Sequence, residues 1–202
     1  MITKEEEQKN KKLNSQLNEA VKIYSKEYGF QKTGNYIYRF EGNFVYWIRY
    51  FLSDKLVANI LMKPIELNHV FWDVFGLPEL KRKPKSFHVS GRFSAKFVNL
   101  GVLSFEYSDE ISDVFIKFLS DSKKIIIENA AKINNLEKFS RLIEHDSNQR
   151  LNYILLQIYF EKYKLAYEIV SKELLKGEVG GFIGEDGKSI YEKIKIYCEQ
   201  RI

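Results

Sequence analysis

Three runs of strand-forming residues are separated by gaps that leave room only for tight turns. Tyr36, Ile37, Tyr38 and Phe40 lead to Gly42-Asn43; Phe44 to Leu52 follows at once; Ser53-Asp54-Lys55 intervenes; Leu56 to Met62 completes the set. Parallel neighbours need a crossover of about a dozen residues or more, so consecutive strands joined this closely are antiparallel. The middle run, Phe44-Val45-Tyr46-Trp47-Ile48-Arg49-Tyr50-Phe51-Leu52, is apolar at nearly every position. Such a strand is expected at the centre of a sheet, covered on both sides.

The residues before it follow a different period. Leu13, Leu17, Ala20, Val21, Tyr24 and Tyr28 recur at three- and four-residue steps, an apolar stripe of about 100° on a helix. Thr3 with Glu6 fits a capping box at its start, and Gly29 stands where a helix ends. Nothing apolar lies between residues 4 and 12, so fraying is expected ahead of Leu13.

Downstream, Pro64 opens a short helix, Ile65 to Phe75, which Gly76 and Pro78 end. A basic loop follows, and Phe87 to Arg92 and Phe97 to Tyr107 read as two more strands of the same sheet. Ser108 with Asp109 and Glu110 starts a helix, since acidic groups favour the positive end of the dipole. Its apolar residues lie on two faces, Phe115, Phe118 and Ile126 on one, Ile116 and Ile127 on another, as in a sandwiched helix. Further helices are expected over Asn135 to Glu144, from Ser147 to Tyr159, around Ala166 to Leu174, and over Ile190 to Cys198. The expected fold is α+β: an N-terminal helix, an antiparallel sheet of about five strands, and a helical C-terminal half packed on it. Residues 1–108 form the helix-and-sheet region and 109–202 the helical region, and with no Pro- or Ser-rich linker between them the two read as one continuous body.

Composition narrows the chemistry. The 202 residues include one cysteine, Cys198, which excludes an internal disulfide framework and any multi-cysteine zinc site. The longest run without a charge is the stretch Leu151 to Phe160, well short of the ~20 residues a bilayer span needs. The opening MITKEEEQKNKK has no apolar core and does not read as a secretory signal. The expectation is a soluble cytoplasmic protein with no membrane association. The net charge of +5 is mild, and a dedicated nucleic-acid binder concentrates a stronger excess on one face, so nucleic acid is not the expected partner.

Several clusters carry possible chemistry. Glu66, His69 and Asp73 fall at about 0°, 300° and 340° around a helix, on one face. Two carboxylates beside a histidine favour imidazolium or bind a metal. Half of a carboxylate di-iron motif is present, but the second Glu-x-x-His is not. The other reading is a solvated face opposite Leu67, Val70, Phe71 and Val74. Glu144-His145-Asp146 diverge by 100° per residue and read as a solvated helix end. Gly187-Lys188-Ser189 suggests a phosphate loop, but that motif requires glycine where Phe182 stands. Cys198 lies on an apolar helix face and reads as packing. Lys81, Arg82, Lys83 and Lys85 form the one basic cluster, suited to an acidic partner or left as a solvated loop. Arg39 either stacks on Tyr46 or Trp47, a cation–π contact worth ~0.5–2 kcal/mol, or solvates an edge.

The stretch Tyr28-Gly29-Phe30-Gln31-Lys32-Thr33-Gly34-Asn35-Tyr36-Ile37-Tyr38-Arg39, between a helix and an aromatic strand, resembles a family of uncharacterised bacterial domains. The resemblance covers residues 13–62. Some members are encoded beside contact-dependent or secreted toxins and are regarded as immunity proteins. The resemblance thus implies a non-enzymatic protein-binding module whose partner is a toxin; read on the clusters above, no cofactor, metal or catalytic residue is expected. Binding is expected at Lys81, Arg82, Lys83 and Lys85 and at Tyr36, Tyr38 and Arg39. Two other readings are a nucleic-acid-associated factor using the basic loop and sheet aromatics, and a metal-dependent enzyme at Glu66, His69 and Asp73.

Overall fold

A computed structural model describes residues 4–34, 36–90, 94–106 and 111–202. The proposed Thr3 capping box, the helix start at Ser108, Asp109 and Glu110, and the strand ends at Arg92 and Tyr107 lie outside the described residues. The fold is α+β, with one antiparallel sheet of five strands that lie side by side in chain order. Contacts sort the chain into two compact units, Met1–Met62 with Val98–Lys132, and Lys63–Phe97 with Ile133–Ile202.

The first unit holds the sheet. Helix α1 (Lys4–Glu27) buries Leu13, Leu17, Ala20 and Val21. It begins well ahead of Leu13, contrary to the fraying expected. Its first turns are Glu, Gln, Lys and Asn, mostly good helix formers, and Lys11 pairs with Glu7 at 3.0 Å one turn away. Gly29 ends it at φ +80°, and the Phe30 amide reaches back to the Ser25 carbonyl at 2.8 Å. That bond is the outer one of a Schellman motif, and it turns Phe30 into the core.

Strands β2 (Tyr36–Glu41) and β3 (Phe44–Leu52) join through Gly42-Asn43, with Gly42 at φ +56°. β4 (Leu56–Pro64) and β5 (Val98–Phe105) extend the sheet on one side. The other edge is β1 (Gln31–Thr33), a short strand paired with Tyr36–Tyr38. It supplies the fifth strand in place of Phe87 to Arg92. Within that stretch Phe87–Ser90 is a single helical turn, α3. Its amides bond back locally, Phe87 to Pro84 at 2.9 Å and His88 to Lys85 at 3.0 Å, so they are not available to a ladder.

One face of the sheet carries the core. Ile37, Tyr46, Ile48 and Tyr50 lie on it with Leu56, Ala58, Ile60 and Met62. Helix α4 (Ile111–Lys132) covers it: Tyr50 meets Phe115 and Phe118 edge-on or tilted, and Phe105 meets Phe118. α4 also packs along α1. Its second apolar face is only partly used, because Ile127 stays about half exposed.

The second unit centres on helix α2 (Ile65–Phe75), which starts after Pro64 and ends at Gly76 in the left-handed region, as expected. Its Leu67, Phe71 and Trp72 are fully buried. α2 packs on α6 (Arg150–Tyr159) and α8 (Ile190–Glu199). α5 (Leu136–Ile143) starts at Asn135, whose side chain accepts from the Lys138 amide. α6 and α7 (Tyr163–Leu175) form the helical hairpin expected. The loop from Gly177 to Gly187 leads to α8, where Ser189 and Glu192 form a full capping box. Gly180 is held so close to Ile190 and Tyr191 that a Cβ there would sit 2.5–2.8 Å from their side chains.

Candidate functional site

The expected binding residues divide between the two units. In the sheet unit, Tyr38 is only 4% exposed and meets Phe40 edge-on, so it is core and offers no anchor. Arg39 is half-buried and paired with Glu41. Its guanidinium lies 5.6 Å from the Phe30 ring centroid, not over Tyr46 or Trp47. The reason is the period of the strand. Arg39 pairs with Tyr46 in register, and on that face the turn at Gly29 brings Phe30 and the Tyr28 carbonyl under the arginine. Tyr36 remains half-buried at the surface, with its ring 4.4 Å from Trp47.

Alternation places a different set outside. β3 is the central strand, but it is covered on both faces only as far as Ile48. Beyond that point Arg49 is exposed and Phe51 is 47% exposed. Tyr36 lies directly opposite Arg49. Further across the same face are Val57, Asn59 and Leu61 of β4, and Val102 of β5, which faces Asn59 and is 57% exposed. The outer face thus presents Tyr36, Trp47, Arg49, Phe51 and Val102. The sequence signal for it was an arginine inside an otherwise apolar strand.

In the second unit, the basic cluster forms a 3-10 turn over Pro78–Arg82 and the residues after it. Lys81, Arg82, Lys83 and Lys85 are all exposed, and Lys81 pairs with Asp73 of α2. That pairing engages the Asp73 carboxylate with a lysine. His69 instead packs its ring against Trp72 at 5.9 Å and His88 at 5.2 Å. Among the described residues no three His, Cys, Asp or Glu side chains gather in a way that would hold a metal ion. His69 is held below its usual pKa, first by burial and then by Lys81.

Asp73 also lines an open cleft of about 280 Å³ with Asp186, Lys188, Lys193, Tyr197 and Gln200. Its charges are largely matched internally, Lys81 to Asp73 and Lys193 to Asp186 at 2.8 Å. Lys188 and Ser189 do not form a phosphate loop, since Ser189 is committed to capping α8. Glu144, His145 and Asp146 are exposed, and Asp146 caps the 3-10 turn Ser147–Gln149. Cys198 is fully buried, and burial pushes its thiol up to about 11, away from reactivity at neutral pH.

Sequence reasoning missed the polar cluster beneath α2. Lys63, near the end of β4, is 0% exposed. Its Nζ donates to the Ala95 carbonyl at 3.2 Å and lies 4.4 Å from the Phe97 ring centroid. Burial pushes its pKa down to about 7. Asn68 and His88 are also buried and bonded to each other. Among the described residues no helix is long and apolar enough to cross a membrane. No family model, curated protein or solved structure matches the chain.

Proposed function

We propose that this chain is a non-enzymatic protein-binding module that docks a protein partner on the outer face of its sheet. The observation that carries the reading is the exposure of Phe51 and Val102 beside Arg49 and the Tyr36–Trp47 pair. Aromatic and arginine side chains dominate interface energy, and exposed apolar patches of this kind mark interaction sites. The resemblance of residues 13–62 to toxin-associated domains extends the reading to an immunity protein, one that covers the working surface of a toxin in its own cell. A chain of net charge +5 with arginine in its contact face suits a partner surface that is apolar with an acidic rim.

The test is affinity capture from the native cell with two baits, the wild type and the double variant Arg49→Glu, Phe51→Asp. Both positions are exposed, so circular dichroism of the two baits should agree. A protein retained by the wild type and lost by the variant supports the reading. Identical protein sets on both baits, or nucleic acid alone on the wild type, overturn it.

A further inference from the structure

The polar cluster beneath α2 has a built-in proton preference. Asn68 sits in the middle of α2 and is fully buried. Its Oδ1 accepts from the Ala95 backbone amide at 3.0 Å. A backbone N–H only donates, so the orientation of the Asn68 amide is set by that bond. Its Nδ2 therefore faces His88, 3.3 Å from the carbonyl oxygen and 3.1 Å from Nδ1. An amide nitrogen only donates, so Nδ1 must accept and carries no proton. His88 is thus held as the neutral tautomer with its proton on Nε2. Protonation adds a hydrogen at Nδ1 and sets two donors against each other in a buried site.

The neighbours reinforce the same preference. Among the described residues, the charged groups acting on His88 are His69 from α2, Lys63 from the end of β4 and Lys85 from the turn before it, all basic. Asp73 acts on His69 but is not among the groups acting on His88. On the far side of Ala95, Asn152 of α6 bonds both the amide and the carbonyl of Lys96, and Gln149, just ahead of α6, donates to the Phe97 carbonyl; both are neutral. Burial, then His69 and Lys63, push His88 down to about 4.

We propose that Asn68 and His88 form an acid-sensitive latch, which fastens the chain at His88 and at Ala95 to α2 while His88 is neutral and lets it go when Nδ1 is protonated. The sign follows from linkage. His88 binds its proton more weakly in the folded chain than the ordinary histidine value of 6.5, so the contribution is complete above that value and is lost as pH falls toward 4. Lys63 does not act in this window, because below about 7 it is charged in both states.

The test is NMR of the full chain between pH 7.5 and 3.5, following the His88 ring and the exchange of the Ala95 amide, corrected for intrinsic rate. The expected result is a His88 midpoint well below 6.5 and at least a tenfold loss of Ala95 protection tracking it, while the Leu155 amide in α6 stays protected. The variant Asn68→Asp supplies an acceptor for protonated Nδ1 and should hold the Ala95 amide protected to lower pH. A His88 midpoint at 6.5 or above, or Ala95 protection that does not change as His88 titrates, overturns the latch in the wild type alone. If Asn68→Asp folds, loss of protection at the wild-type pH also overturns it.

Discussion

The outer face of the sheet and the cluster beneath α2 both depart from the usual partition of a folded chain, in opposite directions. On the sheet, Phe51 and Val102 stay exposed with nothing polar to replace them. Beneath α2, Lys63, Asn68 and His88 are buried. An exposed apolar group contributes nothing to the fold and gains free energy only when something outside covers it. A buried basic group does the reverse: it belongs wholly to the fold, and the fold then depends on its protonation. The first region is therefore read as a contact surface and the second as a conditional support.

The largest expected effect separates the two faces of β3. Ile48→Ala removes a fully buried side chain and should cost about 2–5 kcal/mol in urea unfolding. Phe51→Ala, three residues along the same strand, should change stability by less than ~0.5 kcal/mol. Equal costs would break the comparison, because they would mean that Phe51 supports the fold.

Lys63 sharpens it from the other side. Its folded pKa of about 7 lies below the ordinary 10.5, so between these values the unfolded chain binds the extra proton. Stability should therefore rise with pH, by about 3 kcal/mol between pH 7 and 9.5 at ~1.4 kcal/mol per unit. Lys63→Met should flatten that rise. Above pH 10 the trend should reverse, since burial pushes the Tyr46 and Tyr50 hydroxyls up to about 12 while unfolded tyrosine ionises near 10. A profile flat from pH 7 to 9.5 in the wild type would contradict a buried, unmatched amine.

The smallest effect is a control on local structure. Ser189→Ala removes the capping bond to the Glu192 amide and should cost about 1 kcal/mol with no change at the sheet face. Hydrogen exchange in α8 reads it directly.

Local rules made most of the framework legible. The Gly42-Asn43 turn, the bounds of α2 between Pro64 and Gly76, and the stop at Gly29 each depend on residues within a few positions. The strand Gln31–Thr33 was not legible, because three polar residues carry no period and gain their structure only by pairing with Tyr36–Tyr38. Phe87 to Arg92 looked like a strand because its apolar residues alternate, yet the local bonds of Phe87 and His88 and the grip of Asn68, twenty positions away, draw its start into a helical turn. Lys63 lies near the end of β4, on the face that carries half-buried Val57, Asn59 and Leu61, and it meets Ala95 and Phe97, more than thirty positions on. The candidate contact face was half legible. Alternation marked Trp47, Arg49 and Phe51 as sharing a side, but how much of that side stays bare depends on what packs against it. Tyr38, on the same side, is buried.

Site-specific photocrosslinking in the native cell tests the contact face most directly. A benzophenone side chain in place of Phe51 should yield one discrete protein adduct, and the same probe in place of exposed Leu142 of α5 should yield none. No adduct from position 51, or the same adduct from both, would contradict the account.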